Sequence, residues 1–233
     1  MQTLRTVNTS EREIKDLTIS KVMKILFLGD SITAGAGLNT KEEMFTTLVG
    51  KLTNAQIVNY GVGGTRIARN SAPSEDPSYD NDFLRRAEDM DKTADFVFVF
   101  GGTNDYGHGD APIGNENDDS PYTFHGGLNN VIKRLCEIYG KDKIVFMLPT
   151  RRFDEEDLFG EGHRTKPTLN LKGYVDIIRA KCEKLGIDYI DLYNDGIPKP
   201  ETNTGDEFSV DGLHPNDKGH LLIAERIKKY LGL

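Results

Sequence analysis

Five short apolar runs, at residues 25–28, 57–60, 96–100, 144–148 and 187–192, limit what this chain can fold into more than any other feature. Most are nearly continuous rather than alternating, the pattern of strands covered on both faces. Amphipathic segments lie between or after them. Met44, Phe45, Leu48, Val49 and Leu52 share one helical face, and Leu128, Val131, Ile132, Leu135 and Ile138 share a second. Leu171, Val175, Ile178, Cys182 and Leu185 make a third, and Ile223, Ile227, Tyr230 and Leu231 a fourth. Residues 83–90 predict a short extra helix before the third run. Strand–helix alternation of this kind predicts an α/β sandwich, and five parallel strands fit a flavodoxin-like order.

The 233 residues suit a single domain, spanning 23–233, with residues 1–22 as an N-terminal extension or edge element. Residues 1–21 are polar and lack the apolar core of a secretory signal, and no run approaches the roughly 18 apolar residues of a membrane span. The two cysteines, Cys136 and Cys182, sit on apolar helix faces and read as reduced thiols. These features predict a cytoplasmic protein with no membrane partner. The net charge of −8 argues against nucleic acid as a partner.

The polar segments that follow the strands carry the chemistry. Ser31, in Gly29-Asp30-Ser31, stands just beyond the first strand at a helix start. Alone it reads as an N-cap, but at a strand's carboxyl end its hydroxyl is also placed to project into a cleft. Gly61, Gly63 and Gly64 follow the second strand as a tight turn or as exposed backbone donors. Asn104, in Gly102-Thr103-Asn104-Asp105, is either a turn-forming amide or a side-chain donor. Asp211 and His214 lie three residues apart before the last helix, a spacing that lets the acid orient the imidazole. Together these residues offer a nucleophile, oxyanion donors, a base and an orienting acid, the groups that ester hydrolysis needs.

Taken jointly and in this order, the four segments resemble the SGNH hydrolases, the GDSL esterase/lipase family. Leu28-Gly29-Asp30-Ser31-Ile32-Thr33 is similar to the family's first block, with Ile32 in place of the common Leu, and Asn59-Tyr60-Gly61-Val62-Gly63-Gly64-Thr65 to its second. Gly102-Thr103-Asn104-Asp105 matches the third, and Asp211-Gly212-Leu213-His214-Pro215 the last. The resemblance implies a three-layer α/β/α sandwich and cofactor-free, metal-free hydrolysis through an acyl-enzyme. It makes Ser31 the nucleophile, with His214 and Asp211 completing a triad. Ser31, Gly64 and Asn104 would form the oxyanion hole.

Three long polar loops, 66–82, 106–122 and 151–167, follow strand ends and are expected to shape the substrate site. Asp30, Tyr106, His108, Arg151 and Arg152 are the candidate substrate-binding residues, the arginines as partners for an anionic group. Tyr122, Phe124 and Phe153 are candidate packing or stacking surfaces. Polar loops favour a short acyl group, such as acetyl, on a polar alcohol such as a carbohydrate. Lysophospholipase or thioesterase activity is the alternative within the family, and a non-catalytic flavodoxin-like binding module is the alternative outside it.

Overall fold

The computed structural model describes residues 22–160, 163–164 and 166–233. Five parallel strands form one sheet: β1 (Lys24–Gly29), β2 (Gln56–Gly61), β3 (Phe96–Phe100), β4 (Ile144–Met147) and β5 (Asp188–Ile190). Their order is β2-β1-β3-β4-β5, the flavodoxin-like arrangement. The helices are α1 (Ser31–Ala34), α2 (Phe45–Thr53), α3 (Phe83–Asp89), α4 (Thr103–Gly107), α5 (Phe124–Tyr139), α6 (Leu171–Leu185), α7 (Leu192–Asp195) and α8 (Asp217–Tyr230). Among the described residues, no helix is long and apolar enough to cross a membrane.

Strand side chains alternate between two cores. Ile25, Phe27, Phe98 and Phe100 pack with Phe45 and Val49 of α2 and with Ile223 and Ile227 of α8. Leu26, Leu28, Val97 and Val99 pack on the opposite face with Phe83 of α3, Leu128 and Val131 of α5, and Val175 and Ile178 of α6. The result is the expected three-layer sandwich. The central strands β1, β3 and β4 are buried almost throughout, as their continuous apolar runs require, whereas the edge strand β2 keeps Gln56 and Asn59 exposed.

One predicted strand is shorter than expected. The run at 187–192 leaves the sheet at Ile190, because the Asp191 side chain accepts the Asn194 N–H and starts α7. Of the expected N-terminal element, residues 1–22, all but Val22 lie outside the described residues.

The strand order places a switch point between β1 and β3. From β1 the chain turns outward to β2, whereas β3 leads to β4 on the other side. At such a point the loops beyond two neighbouring strand ends diverge and leave a crevice. The segments holding Ser31 and Asn104 open at those two ends.

Candidate active site

Ser31 is the first residue of α1, and the cap just before it is Asp30, whose carboxylate accepts the Ile32 N–H at 3.0 Å. With Asp30 in the N-cap role, the Ser31 hydroxyl is left for another partner. That partner is His214, with Nε2 3.0 Å from Ser31 Oγ. The other ring nitrogen, Nδ1, lies 2.7 Å from Asp211 Oδ2. A carboxylate only accepts, so Nδ1 carries the proton and Nε2 presents its lone pair to the serine O–H.

Asp211 is itself fixed. Its Oδ1 accepts the backbone N–H groups of Leu213 at 3.0 Å and His214 at 2.7 Å. Partial burial works against its charge, but the hydrogen bonds from His214 and from these backbone donors outweigh it and hold the carboxyl below the usual range.

The glycines of the second segment have separate jobs. A Cβ on Gly61 would lie 2.4 Å from Ala34 N, so Gly61 permits the close approach of β2 to α1. Gly64 adopts φ +71°, and a Cβ there would lie 2.3 Å from the Tyr79 ring. Both the torsion and the space restrict this position to glycine. Asn104 donates one amide hydrogen to the Thr65 carbonyl at 2.9 Å, which orients the amide and leaves its second N–H available.

Two buried charges hold these segments in register. Asp105 accepts the Ile67 N–H at 2.9 Å and the Ala68 N–H at 2.8 Å, tying α4 to the loop beyond Gly64. Burial pushes its carboxyl up to about 6, against those hydrogen bonds and the nearby Arg66 charge. Asp105→Ala is expected to cost about 2–4 kcal/mol of stability, because two buried amides lose their acceptor. Urea unfolding would measure it, and an unchanged midpoint and slope would contradict the role. Arg86, on α3, donates to the carbonyls of Gly29 at 2.8 Å and Tyr60 at 2.5 Å and to Thr65 Oγ1 at 2.7 Å. One guanidinium therefore gathers the ends of β1 and β2 and the turn after Gly64. Burial lowers its pKa to about 10, opposed by the charges of Asp30 and Asp82.

Ser31, Gly63, Gly64, Asn104 and His214 line one cleft of about 630 Å³ together with Arg66, Ser74, Tyr79, His108 and His163. His108 therefore stands where the sequence predicted it. Four other expected substrate-binding residues do not. Asp30 is 1% exposed and is consumed by capping α1. Tyr106 is fully buried, T-shaped against Tyr174, with its hydroxyl donating to the Asp154 carbonyl. Arg151 pairs with buried Glu155 and lies over the Tyr193 ring, in a separate groove. Arg152 is buried, bonded to Asp154 and stacked over Tyr106.

The reason is the path of the 151–167 loop. Just after β4 it turns behind the 211–214 segment, where the Phe153 N–H donates to the Gly212 carbonyl at 2.8 Å, which carries Arg151 and Arg152 away from the cleft, whereas His163 farther along lines it. Among the aromatics, Phe124 is core, Phe153 lies behind the site with Asp211 and Gly212, and Tyr122 carries Arg69 over its ring. Arg66, Tyr79, His163 and Arg86 were not legible as site residues. Only the placement of Arg66 two residues after Gly64 hints at one of them. Among the described residues, no group of three or more His, Cys, Asp or Glu side chains is placed to hold a metal ion.

Residues 27–222 match the GDSL-like Lipase/Acylhydrolase family, and with this fold the match defines a carboxylic ester hydrolase. The chain belongs to that family, within the SGNH hydrolase superfamily. A protein from Lactobacillus plantarum has a similar structure, with TM-score 0.74 and 27% identity over 91% of this chain and 97% of that one. The lipase/acylhydrolase from Enterococcus faecalis is similar with TM-score 0.64 and 21% identity, covering 90% of this chain and 95% of its own. Est24, a carbohydrate acetylesterase from Sinorhizobium meliloti, gives TM-score 0.63 and 14% identity over 90% of this chain and 98% of its own. The latter two likenesses bear on the fold alone. No curated protein matches the chain by sequence.

Proposed function

We propose that this chain is a serine esterase that removes a short acyl group, acetyl above all, from a polar alcohol such as a carbohydrate. The observation that carries the reading is the continuous relay from Asp211 through His214 to Ser31, at 2.7 and 3.0 Å, opening into a cleft with several polar side chains in its lining.

In this reading, Ser31 Oγ attacks the ester carbonyl carbon as its proton passes to His214 Nε2. The carbonyl π electrons move to oxygen. The oxyanion takes hydrogen bonds from the backbone N–H groups of Ser31 and Gly64 and from the free amide N–H of Asn104. Collapse of the tetrahedral intermediate breaks the carbon–alkoxy bond, and His214 Nε2–H protonates the departing alcohol oxygen. Water, losing a proton to His214, then attacks the acyl-Ser31 ester. The carboxylic acid leaves and the serine O–H is restored. Asp211 stays ionised and stabilises the imidazolium in both halves, in keeping with its lowered pKa.

The acyl preference rests on the walls of the cleft. Arg66, Asn70, Ser74, Glu75 and two histidines interrupt its lining, so that Ala36, Tyr79 and Leu213 do not join into a continuous apolar channel. A matched channel would contribute about 0.8 kcal/mol per buried CH₂, and a lining broken by polar groups forfeits part of that gain. Acetyl esters are therefore expected to exceed octanoyl and longer esters by at least about tenfold in kcat/KM. A C2–C12 series on one alcohol tests this. A maximum at C8 or beyond would reject the short-acyl assignment and move the reading to a thioesterase or lysophospholipase. The cytoplasm is the proposed location, supported by the two free cysteines, one of them fully buried.

A further inference from the structure

Arg66 is an arginine at 2% exposure beside the cleft. One arm of its guanidinium, NH1, lies 2.9 Å from His108 Nδ1. The other, NH2, donates to Ser74 Oγ at 2.8 Å, and to the Tyr79 carbonyl and Asp80 Oδ1, both at 3.3 Å. A single buried side chain thus fixes both His108 and the short turn that carries Tyr79.

The contact with His108 has a definite chemical meaning. A guanidinium has donors and no acceptor. The Nδ1 atom facing it must therefore accept, and the ring proton resides on Nε2. Four influences keep a second proton off this ring. Burial is the largest, followed by the charge of Arg66 and then those of His163 and Arg152, and together they lower its pKa to about 4. His108 is thus a neutral imidazole of one tautomer at neutral pH, with Nε2–H as its remaining donor.

Its surroundings indicate what that donor meets. The His108 backbone N–H donates to the Asn104 carbonyl at 3.0 Å, so the ring rides on the segment that carries the amide donor. The Tyr79 ring lies 5.8 Å from the His108 ring, and the His163 ring 6.2 Å from it. Tyr79 also covers Gly64, yet it remains 36% exposed. A partly exposed aromatic ring in the cleft lining near a fixed N–H donor suits a ring that is apolar on its C–H face and hydroxylated at its edge. A pyranose has that form, and a simple alkyl alcohol or fatty chain does not.

We propose that His108, held as the Nε2–H tautomer by Arg66, is a specificity-determining residue that donates to a sugar oxygen while Tyr79 offers the stacking face. The inference rests on the esterase reading and specifies its substrate class. A histidine donor that keeps one tautomer and stays uncharged recognises an oxygen acceptor without attracting anions. Leaving the donor unpaired against a non-hydroxylated ring is the physical basis of discrimination.

The test compares a monoacetylated methyl glucoside with cyclohexyl acetate, a ring of the same size without hydroxyls. Wild type is expected to favour the sugar ester by at least about tenfold in kcat/KM. His108→Phe keeps a ring and removes the donor, and should collapse that ratio at least about fivefold, mainly through KM for the sugar ester. His108→Gln, which carries an amide donor, should recover part of it. A wild-type enzyme without the preference, or a His108→Phe ratio equal to wild type, overturns the inference. If Ser31 accepts a phosphonate label in that same preparation, the esterase reading survives while this one falls. If no ester is turned over and Ser31 takes no label, the esterase reading itself fails. Independently of any variant, ¹⁵N NMR of the wild-type protein at pH 7 should show His108 protonated at Nε2 alone. An Nδ1–H or doubly protonated ring would contradict the tautomer on which the proposal stands.

Discussion

Ser31→Ala is expected to lower kcat by about 10⁴-fold or more while leaving the folded protein intact. The side chain replaced is small, and its structural work is slight, because Asp30 and not Ser31 caps α1. Loss of the Oγ removes the only proposed covalent attachment point. It leaves the oxyanion donors and the cleft in place, so weak residual turnover above background is compatible with the account. Circular dichroism and a urea midpoint like those of wild type would certify the fold. Full esterase activity in such a preparation would exclude the mechanism.

His214→Ala should be nearly as damaging, and Asp211→Asn should lose about 10⁴-fold, since the amide no longer demands the Nδ1–H tautomer. The pH profile gives a second readout. His214 must be neutral to accept the serine proton, so kcat/KM should rise with pH along an acid limb. That limb should vanish from whatever activity His214→Ala retains. Asp30 provides the control, because burial pushes its carboxyl up to about 6. Asn caps helices as well as Asp does, so Asp30→Asn should fold and keep the limb. A profile that follows Asp30 rather than His214 would assign the titrating group elsewhere.

The parts of this molecule that could be read in advance are those written locally in the chain. Continuous apolar runs marked β1, β3 and β4 because those strands are buried on both faces. The Asp211–His214 pair was legible because its hydrogen bond closes over three residues. The loop of residues 66–82 was not legible, because it has no periodicity and its anchors are distant. Asp105 holds Ile67 and Ala68 from 38 and 37 residues away, and Arg86 reaches back 57 residues to Gly29. Arg151 and Arg152 misled for the opposite reason. Standing next to the end of β4 suggested a place in the cleft, but β4 is one strand removed from the β1–β3 switch point, and at Phe153 the chain is already bonded behind the His214 segment.

The relay through His214 can be challenged at a single atom. Wild-type protein would be treated with a serine-directed phosphonate ester and digested, and the adduct located by tandem mass spectrometry. The account predicts one stoichiometric adduct on Ser31, formed in step with loss of esterase activity and sharply slowed by His214→Ala. An adduct on any other residue, or full inactivation with Ser31 unmodified, would contradict the assignment of Ser31 as the nucleophile.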